Sequence, residues 1–269
     1  LGEPDNLFTP EQRKTVVDAL DTRTGLVGGS GPTLGSTITV LHALEELLKE
    51  YATPQHVQLA TSFGMDTHAA LQNTLHRLPP FVLTALPEDA VSNPDTWRAL
   101  TQAAIAGSVI VVGVPGHDTA SLVRLLHSQT PSFLWKPLFQ LTIVHAPFPS
   151  ACPSCAIPMP VHPDVIEQFA RDADSALLHG LKSAHAPGCE ACDFHGRGPA
   201  VGAVELCTPD LVPEDFDALD LGPALRQRGM KTIIDDLVRR SYHTPMPLTR
   251  AARLWRGVQY TIRGDTPSS

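Results

Sequence analysis

The segment from Gly25 to Tyr51 reads GLVGGSGPTLGSTITVLHALEELLKEY, and the fold of the first half of the chain follows from it. Its first residues, Gly25–Gly29, predict a short buried strand. From Ile38 onward, valine and leucine recur at the spacing of an amphipathic helix that runs to Tyr51. The glycine-rich loop Ser30–Thr37 lies between the two. A strand, a glycine-rich loop and a helix in this order are typical of a site where backbone N–H groups at a helix N-terminus hold phosphate.

The loop departs from the phosphate-binding motif G-x-x-x-x-G-K-[ST]. Gly31 is followed five residues later by Ser36, and Thr37 and Ile38 come next. The second glycine, the lysine and the hydroxyl that binds Mg²⁺ are therefore absent from their positions. From the motif alone, a tight turn before a helix is the better interpretation. The residues of this degenerate site are Gly31, Pro32, Thr33, Gly35, Ser36, Thr37, Ile38 and Thr39.

Strand and helix patterns alternate through the rest of the first half. Apolar runs predict strands at 57–61, 81–86 and 109–114, and amphipathic patterns predict helices at 9–20, 67–78, 93–106 and 119–127. Strands that alternate with helices in this way are typical of a parallel sheet covered by helices on both faces. The sequence therefore predicts a three-layer α/β domain that ends near Ala151.

Four of the five cysteines form two pairs, Cys152-Pro-Ser-Cys155 and Cys189-Glu-Ala-Cys192. A CxxC turn directs two thiolates at one point, and two such turns supply the four sulfur ligands of a closed tetrahedral Zn²⁺ site. Four unrelated thiols or disulfide bonds are the alternatives, but the repeated spacing and the lack of a recognisable signal peptide favour metal. A site with four protein ligands stabilises structure and does no chemistry. Cys207 is expected to be a small buried residue.

The segment after the first cysteine pair has a different pattern. It predicts a helix at 161–181, a strand at 201–206 and helices near 213–219, 230–240 and 248–257. The chain is thus expected to divide into an α/β core at 1–151, a zinc module at 152–206 and a C-terminal helical subdomain at 207–269.

Composition and charge exclude several classes of function. The chain has 269 residues, a hydrophobic content of 42% and a formal net charge of -8, which argues against a nucleic-acid-binding surface. The longest apolar run, Val109–Val114, is far shorter than the roughly 18 residues of a membrane span. Since no signal peptide is recognisable either, we expect the protein to stay in the cytoplasm.

These features, in this order, resemble the secretion ATPases that drive type II secretion and type IV pilus assembly. The family motif GPTGSGKSTTLYALL aligns with Gly31–Glu45, which reads GPTLGSTITVLHALE. The family segment FLLASSLNLVLAQRLVRRLC aligns with Phe133–Cys152, C-x-x-C-x-x-T-G-Y-x-G-R-x-G-x-x-E-L with Cys189–Leu206, and G-M-R-(S/T) with Gly229–Thr232. The resemblance implies a RecA-like P-loop NTPase core with a C-terminal tetracysteine zinc module, a small helical subdomain and assembly into a hexameric ring.

The same alignment shows that the catalytic positions of the family are lost. Thr37 replaces the P-loop lysine, Ile38 replaces the Mg²⁺-binding serine and Ala146 replaces an arginine. The acidic box falls on Thr61–Asp66, the Walker B motif on Phe81–Ala90 with Glu88 and Asp89 out of register, and the histidine box on Gly113–Gly116 with His117 displaced. Phosphoryl transfer depends on such positioned cations and carboxylates. The sequence therefore predicts no catalytic residue.

The resemblance and the losses together imply a degenerate subunit of a secretion or pilus machine. It would be structural or regulatory, would bind protein partners as a homo- or hetero-oligomer, and could lie at the inner membrane through them. It would hold a structural Zn²⁺, whereas ATP and Mg²⁺ binding is left open. The alternative is a divergent but active hexameric ATPase that takes a cation from Lys14, Arg23, Lys49 or a neighbouring subunit.

Overall fold

A computed structural model describes residues 7–22, 24–51, 57–60, 67–216 and 220–263 of the chain. The chain folds as two compact units. The core unit comprises Pro4–His145 and Leu206–Met230. The cysteine unit comprises Ala146–Glu205 and Lys231–Ser269, together with the first three residues. The expected three-part division at residues 151 and 206 remains a prediction.

Strands and helices alternate through the described part of the core unit. In chain order, the strands of the whole chain are β1 Gly25–Ser30, β2 Val57–Ala60, β3 Phe81–Ala85, β4 Val109–Gly113, β5 Phe139–Phe148, β6 Ile157–Pro160, β7 Lys182–His185 and β8 Val201–Cys207. The α-helices are α1 Pro10–Leu20, α2 Leu34–Tyr51, α3 Thr67–Leu75, α4 Glu88–Val91, α5 Pro94–Ile105, α6 Thr119–Gln129, α7 Ser132–Leu138, α8 Pro163–Phe169, α9 Leu221–Gln227, α10 Ile233–Ser241 and α11 Leu248–Arg263.

The core unit is built on a parallel sheet. Its strands are hydrogen-bonded in the order β2-β3-β4-β1-β5, and β8, whose last two residues belong to this unit, follows β5. The pairs β2–β3, β3–β4, β4–β1 and β1–β5 are all parallel. In register, Gly25 lies opposite Val109 and Gly29 lies opposite Gly113. The predicted parallel α/β fold is therefore confirmed.

Two adjacent glycines of β1 show that helices cover both faces of the sheet. A Cβ atom on Gly28 would lie 2.9 Å from Leu126 of α6, whereas one on Gly29 would lie 3.4 Å from Val40 of α2. Successive residues of a strand point to opposite faces. Helices α6 and α2 therefore pack on opposite faces of β1, as the predicted three-layer arrangement requires.

The start of α2 differs from the prediction. The helix begins at Leu34 and not at Ile38, so the connection after β1 is only Gly31–Thr33. Thr33 caps the helix, because its Oγ1 accepts a hydrogen bond from the Ser36 N–H at 3.2 Å while the Ser36 Oγ accepts one from the Thr33 N–H at 2.9 Å. This reciprocal cap, of the kind that starts many helices, converts the second half of the predicted loop into helix.

The predicted long helix at 161–181 is wrong. The segment contains α8, which ends at Phe169, and a 3₁₀ helix at Ser175–Leu178. Pro163 opens α8, the Asp174 side chain caps the 3₁₀ helix, and Gly180 has a φ of 72°, so each feature starts or ends a short element. Of the helix predicted at 213–219, residues 213–215 are not helical and Phe216 is in 3₁₀ conformation, and residues 217–219 lie outside the described residues.

Buried carboxylates anchor α10 in the cysteine unit. The Asp235 carboxylate accepts hydrogen bonds from the N–H groups of Thr232 and Asp174, both at 2.8 Å. The Asp236 carboxylate accepts from the Val204 N–H at 2.9 Å and from Arg240 Nε at 2.8 Å, while Glu205 accepts from the helix N-terminus. These carboxylates are buried and hydrogen-bonded, so they hold α10 against β8.

The described helices include none with the length and apolar character needed to cross a bilayer.

Candidate functional site

The connection from β1 to α2 is closed by its own hydrogen bonds. Besides the two bonds of the helix cap, the Ser36 hydroxyl donates to the Thr33 carbonyl at 2.8 Å, and the Thr37 hydroxyl donates to the same carbonyl at 3.1 Å. Ser36 is only 6% exposed. The N–H and carbonyl of Thr33, which a phosphate-binding loop would present to an anion or to water, are thus bonded inside the loop.

The Ser36 side chain lies directly against Gly31. A Cβ atom on Gly31 would lie 2.5 Å from Ser36 Oγ and 3.0 Å from the His145 carbonyl. In the phosphate-binding motif, the position of Ser36 is a glycine, whose missing side chain leaves space for the phosphates. Here the hydroxymethyl group of Ser36 fills that space.

Thr37 packs into the sheet. It is fully buried, and a Cβ atom on Gly113 of β4 would lie 2.8 Å from its methyl group. Ile38 offers no oxygen to a metal, and the Thr39 hydroxyl donates to the Gly35 carbonyl at 3.0 Å. In the described structure, neither the lysine role nor the metal-ligand role of a phosphate-binding loop has a side chain to fill it at these positions.

The loop after β4 closes the same edge of the sheet. The His117 N–H donates to Ser30 Oγ at 3.1 Å, and the Gly116 N–H donates to the Gly31 carbonyl at 2.8 Å. His117 Nδ1 lies 2.9 Å from the Pro115 carbonyl. The displaced histidine therefore holds the two loops together through its backbone and faces its own loop with its ring.

The described positions of two further family motifs, the Walker B stretch and the arginine position, carry no buried catalytic group. Glu88 and Asp89 lie exposed in the first turn of α4, and Ala146 is buried on β5. The acidic box at 61–66 lies outside the described residues, as does Arg23. Lys14 pairs with Asp18 at 2.6 Å.

Lys49 cannot replace the missing P-loop lysine. It pairs with Glu46 at 2.8 Å, near the C-terminal end of α2. At about 1.5 Å per residue, it is roughly 22 Å along the helix from the loop.

Sequence analysis did not identify His145. This buried residue on β5 places Nδ1 3.3 Å from the Ser36 carbonyl at the first turn of α2. The available signal was a single imidazole within the apolar run LTIVHAPF. Such a residue is expected to hydrogen-bond to a neighbouring element when a strand is buried.

The four paired cysteines converge on one point in the cysteine unit. Their Sγ atoms all lie within 4.8 Å of one another. The distances are 4.0 Å for Cys152–Cys189, 4.0 Å for Cys155–Cys192 and 3.8 Å for Cys189–Cys192. A tetrahedron of thiolates around Zn²⁺ with Zn–S of about 2.3 Å has edges of about 3.8 Å, so the donor set fits zinc and leaves no open position.

Two short ladders bring the cysteine pairs together. Ala151 and Arg197 form an antiparallel bridge, and the Cys152 N–H donates to the Gly196 carbonyl at 3.0 Å. The antiparallel pair β6–β7, with Ile157 opposite His185, joins the chain just after Cys155 to the chain just before Cys189. The two CxxC turns therefore face each other although more than thirty residues separate them in sequence.

The second CxxC turn has the backbone shape that metal-binding cysteines need. Cys192 Sγ accepts hydrogen bonds from the N–H groups of Cys189 at 3.3 Å and Gly196 at 3.2 Å. Gly196 has a φ of 67°, and a Cβ atom there would lie 2.2 Å from the Ala186 carbonyl. Asp193 and Phe194 are also left-handed, with φ of 46° and 60°. N–H donors aimed at sulfur stabilise the thiolate form.

The thiols differ in acidity. Burial by itself raises the pKa of Cys192, but hydrogen bonds from the Cys189 and Gly196 N–H groups and from neighbouring thiols outweigh it and lower the pKa to about 7. Burial, together with the neighbouring thiols, raises the pKa of Cys155 to about 12, and burial also raises the pKa of Cys189. Four thiols packed so closely cannot all ionise without a cation among them, which is the electrostatic requirement that a metal ion meets.

Comparison with known proteins supports the fold. No family model matches the chain, and no curated protein matches it either. Among solved structures, the Legionella pneumophila ATPase DotB superposes with a TM-score of 0.58 at 12% identity, over 93% of this chain and 64% of DotB. The chain has the fold of DotB. It spans less than two thirds of the length of that protein.

Two further structures have TM-scores below 0.5 and add no support for the fold. The Yersinia pseudotuberculosis ATPase DotB gives 0.49 at 13% identity, over 88% of this chain and 54% of that protein. The pilus retraction motor PilT with bound ADP gives 0.46 at 13% identity, over 100% of this chain and 68% of PilT. The comparison therefore supports the fold alone, through the ATPase DotB.

Proposed function

We propose that this chain is a catalytically degenerate relative of the secretion ATPases, a subunit that acts by binding other proteins and not by hydrolysing ATP. Its machine would be of the type II secretion or type IV pilus kind, and its partners would be other subunits in a homo- or hetero-oligomer, for which a hexameric ring is our first expectation. We place it in the cytoplasm, at the inner membrane only through partners.

The observation that carries this proposal is Ser36. Its side chain fills the space against Gly31, and its hydroxyl bonds both the N–H and the carbonyl of Thr33. Nucleotide would therefore have to open the loop before its phosphates could approach the backbone. The side chains of Thr37 and Ile38 offer neither a cation nor a metal ligand that could offset the free energy of opening the loop.

The cysteine cluster supports the second half of the proposal. A closed four-thiolate site would hold a structural Zn²⁺ through Cys152, Cys155, Cys189 and Cys192. The metal would link the ends of the segment between the two pairs and so stabilise the cysteine unit. A chain that keeps this unit while its phosphate loop is closed retains the surfaces of a machine subunit without the means of hydrolysis.

Calorimetric titration of the purified chain with ATP and Mg²⁺ tests the proposal, together with a sensitive phosphate-release assay. We expect no turnover above background and no binding tighter than about millimolar. The variant S36G/T37K/I38S, which restores the glycine, the lysine and the serine of the motif, is expected to bind ATP more tightly than the wild type.

A matched control and a contrary outcome complete the test. The variant S128G, at an exposed serine of α6, should leave nucleotide affinity unchanged. Turnover by the wild type that was abolished by altering Ser36 or Thr37, and not by S128G, would favour the alternative of a divergent but active ATPase.

A further inference from the structure

Charge is distributed very unevenly along the chain. From Arg239 to Arg263 the sequence has six arginines and no aspartate or glutamate. From Thr208 to Leu225 it has five acidic residues and no lysine or arginine. In a chain whose net charge is -8, these two stretches are the strongest departures in opposite directions. They lie in different units, the first in the cysteine unit and the second in the core unit.

The arginines of α11 form an exposed face. Arg250, Arg253 and Arg256 are exposed, and Leu254 beside them is 45% exposed. The opposite side of the helix is buried through Ala251, Ala252 and Trp255. Arg256 bonds Gln168 Oε1 at 2.8 Å, whereas Arg250 and Arg253 have no carboxylate within ion-pair distance among the described residues. We call Arg250, Arg253 and Arg256 the basic face.

Three aspartates of the acidic stretch are exposed in the same way. Asp210, Asp215 and Asp220 are exposed and, within the described ranges, have no ion-pair partner. Glu214 between them pairs with Lys136 at 2.5 Å, and this contact lowers the pKa of Glu214. We call Asp210, Asp215 and Asp220 the acidic segment.

We propose that the basic face of one copy of this chain docks on the acidic segment of a second copy. The two surfaces have matching numbers of unpaired charges of opposite sign, and guanidinium groups bind carboxylates through paired hydrogen bonds. Because donor and acceptor surfaces are different, the contact is head-to-tail, and each copy keeps one surface available for the next. The inference rests on the proposed role as an oligomeric subunit and names the surface that would mediate it.

Sedimentation velocity and light scattering across a range of protein concentrations test this contact. Wild-type chain is expected to associate at about 50 mM NaCl and to dissociate near 1 M, where the Debye length falls to about 3 Å. R250E/R253E and D210K/D215K should each weaken self-association at low salt by at least about tenfold. An equimolar mixture of the two variants should restore association, because each then carries the complement of the other.

Controls separate charge from folding. R77E/R98E makes the same change in net charge as R250E/R253E, at exposed arginines of the core unit, and should leave association intact. Far-UV circular dichroism and the zinc content of each variant check that the chain folds.

Three results would overturn the proposal: a monomeric wild type at low salt, loss of association that the mixed variants do not restore, or binding of the monomer to vesicles with about 30% phosphatidylglycerol that R250E/R253E abolishes. None of these measurements depends on nucleotide, so the self-association proposal and the proposal of a degenerate nucleotide site are tested independently.

Discussion

Loss of the metal from the cysteine cluster should destabilise the cysteine unit by an amount that depends on the length of the loop that the metal closes. A metal that joins Cys152 to Cys189 closes a loop of about 38 residues. Treated as a cross-link, such a loop stabilises the folded state by about 4 kcal/mol through lost entropy of the unfolded chain. The cysteine unit has about 100 residues, and each kcal/mol corresponds to about 4 °C in a unit of that size. We therefore expect a chelator to lower its melting temperature by about 15 °C.

Differential scanning calorimetry and elemental analysis measure this effect. The wild type should contain one zinc per chain and should show a chelator-sensitive transition. C192S removes the ligand that accepts two backbone N–H bonds, so its transition should be low with or without chelator. C207S is the matched control, because Cys207 is buried but lies outside the cluster, and its chelator shift should equal that of the wild type. A wild type that purified without metal and melted at the same temperature in chelator would refute the cross-link estimate.

Three further predictions concern stability, each measured by urea unfolding. G196A should lower the free energy of unfolding by about 2 kcal/mol or more and lower the zinc content, since its Cβ would lie 2.2 Å from the Ala186 carbonyl. The control G180A has the same sign of φ but open space around the new Cβ, so it should lower the free energy of unfolding by only about 1 kcal/mol and leave the zinc content unchanged. D236A should lower the free energy of unfolding by about 3–5 kcal/mol, because it removes the buried carboxylate that accepts hydrogen bonds from Arg240 and the Val204 N–H, and D236N should lower it less; equal losses would contradict the charge argument. T33A should cost about 1 kcal/mol by removing the cap of α2; no change would mean that Ser36 alone holds the loop.

The sequence predicts the core unit well because its hydrophobic periodicity and its helix-capping residues indicate the same elements. Strands β1, β3 and β4 are short apolar runs, and helices α1, α5 and α6 each start at a capping side chain that is visible in the sequence. Their bounds fall within about three residues of those predicted. The convergence of the four cysteines was predicted correctly because each CxxC spacing fixes a turn that directs two thiols to one point.

The errors arise where short polar side chains compete for the backbone. The helix predicted at 161–181 has apolar residues at helical spacing, but α8 ends at Phe169 and the Asp174 side chain caps the start of a separate 3₁₀ helix. In the loop at 30–37 the glycines indicated an open turn, whereas Thr33 and Ser36 cap each other and extend α2. A hydrogen bond between two hydroxyl residues three positions apart does not alter the hydrophobicity pattern, so periodicity alone cannot predict this helix cap.

The closed loop also sets the order in which nucleotide binding could be restored. Opening the loop to a phosphate would break about three hydrogen bonds around Thr33, each worth about 1 kcal/mol, which lowers affinity by about 150-fold. Adding a lysine alone does not recover this, because position 37 packs against Gly113 and Ser36 still fills the space beside Gly31. We therefore expect T37K to bind ATP no better than the wild type, and S36G/T37K to bind it measurably. If T37K alone produced ATP binding in a calorimetric titration, the missing cation and not the closed loop would be what limits nucleotide affinity at this site.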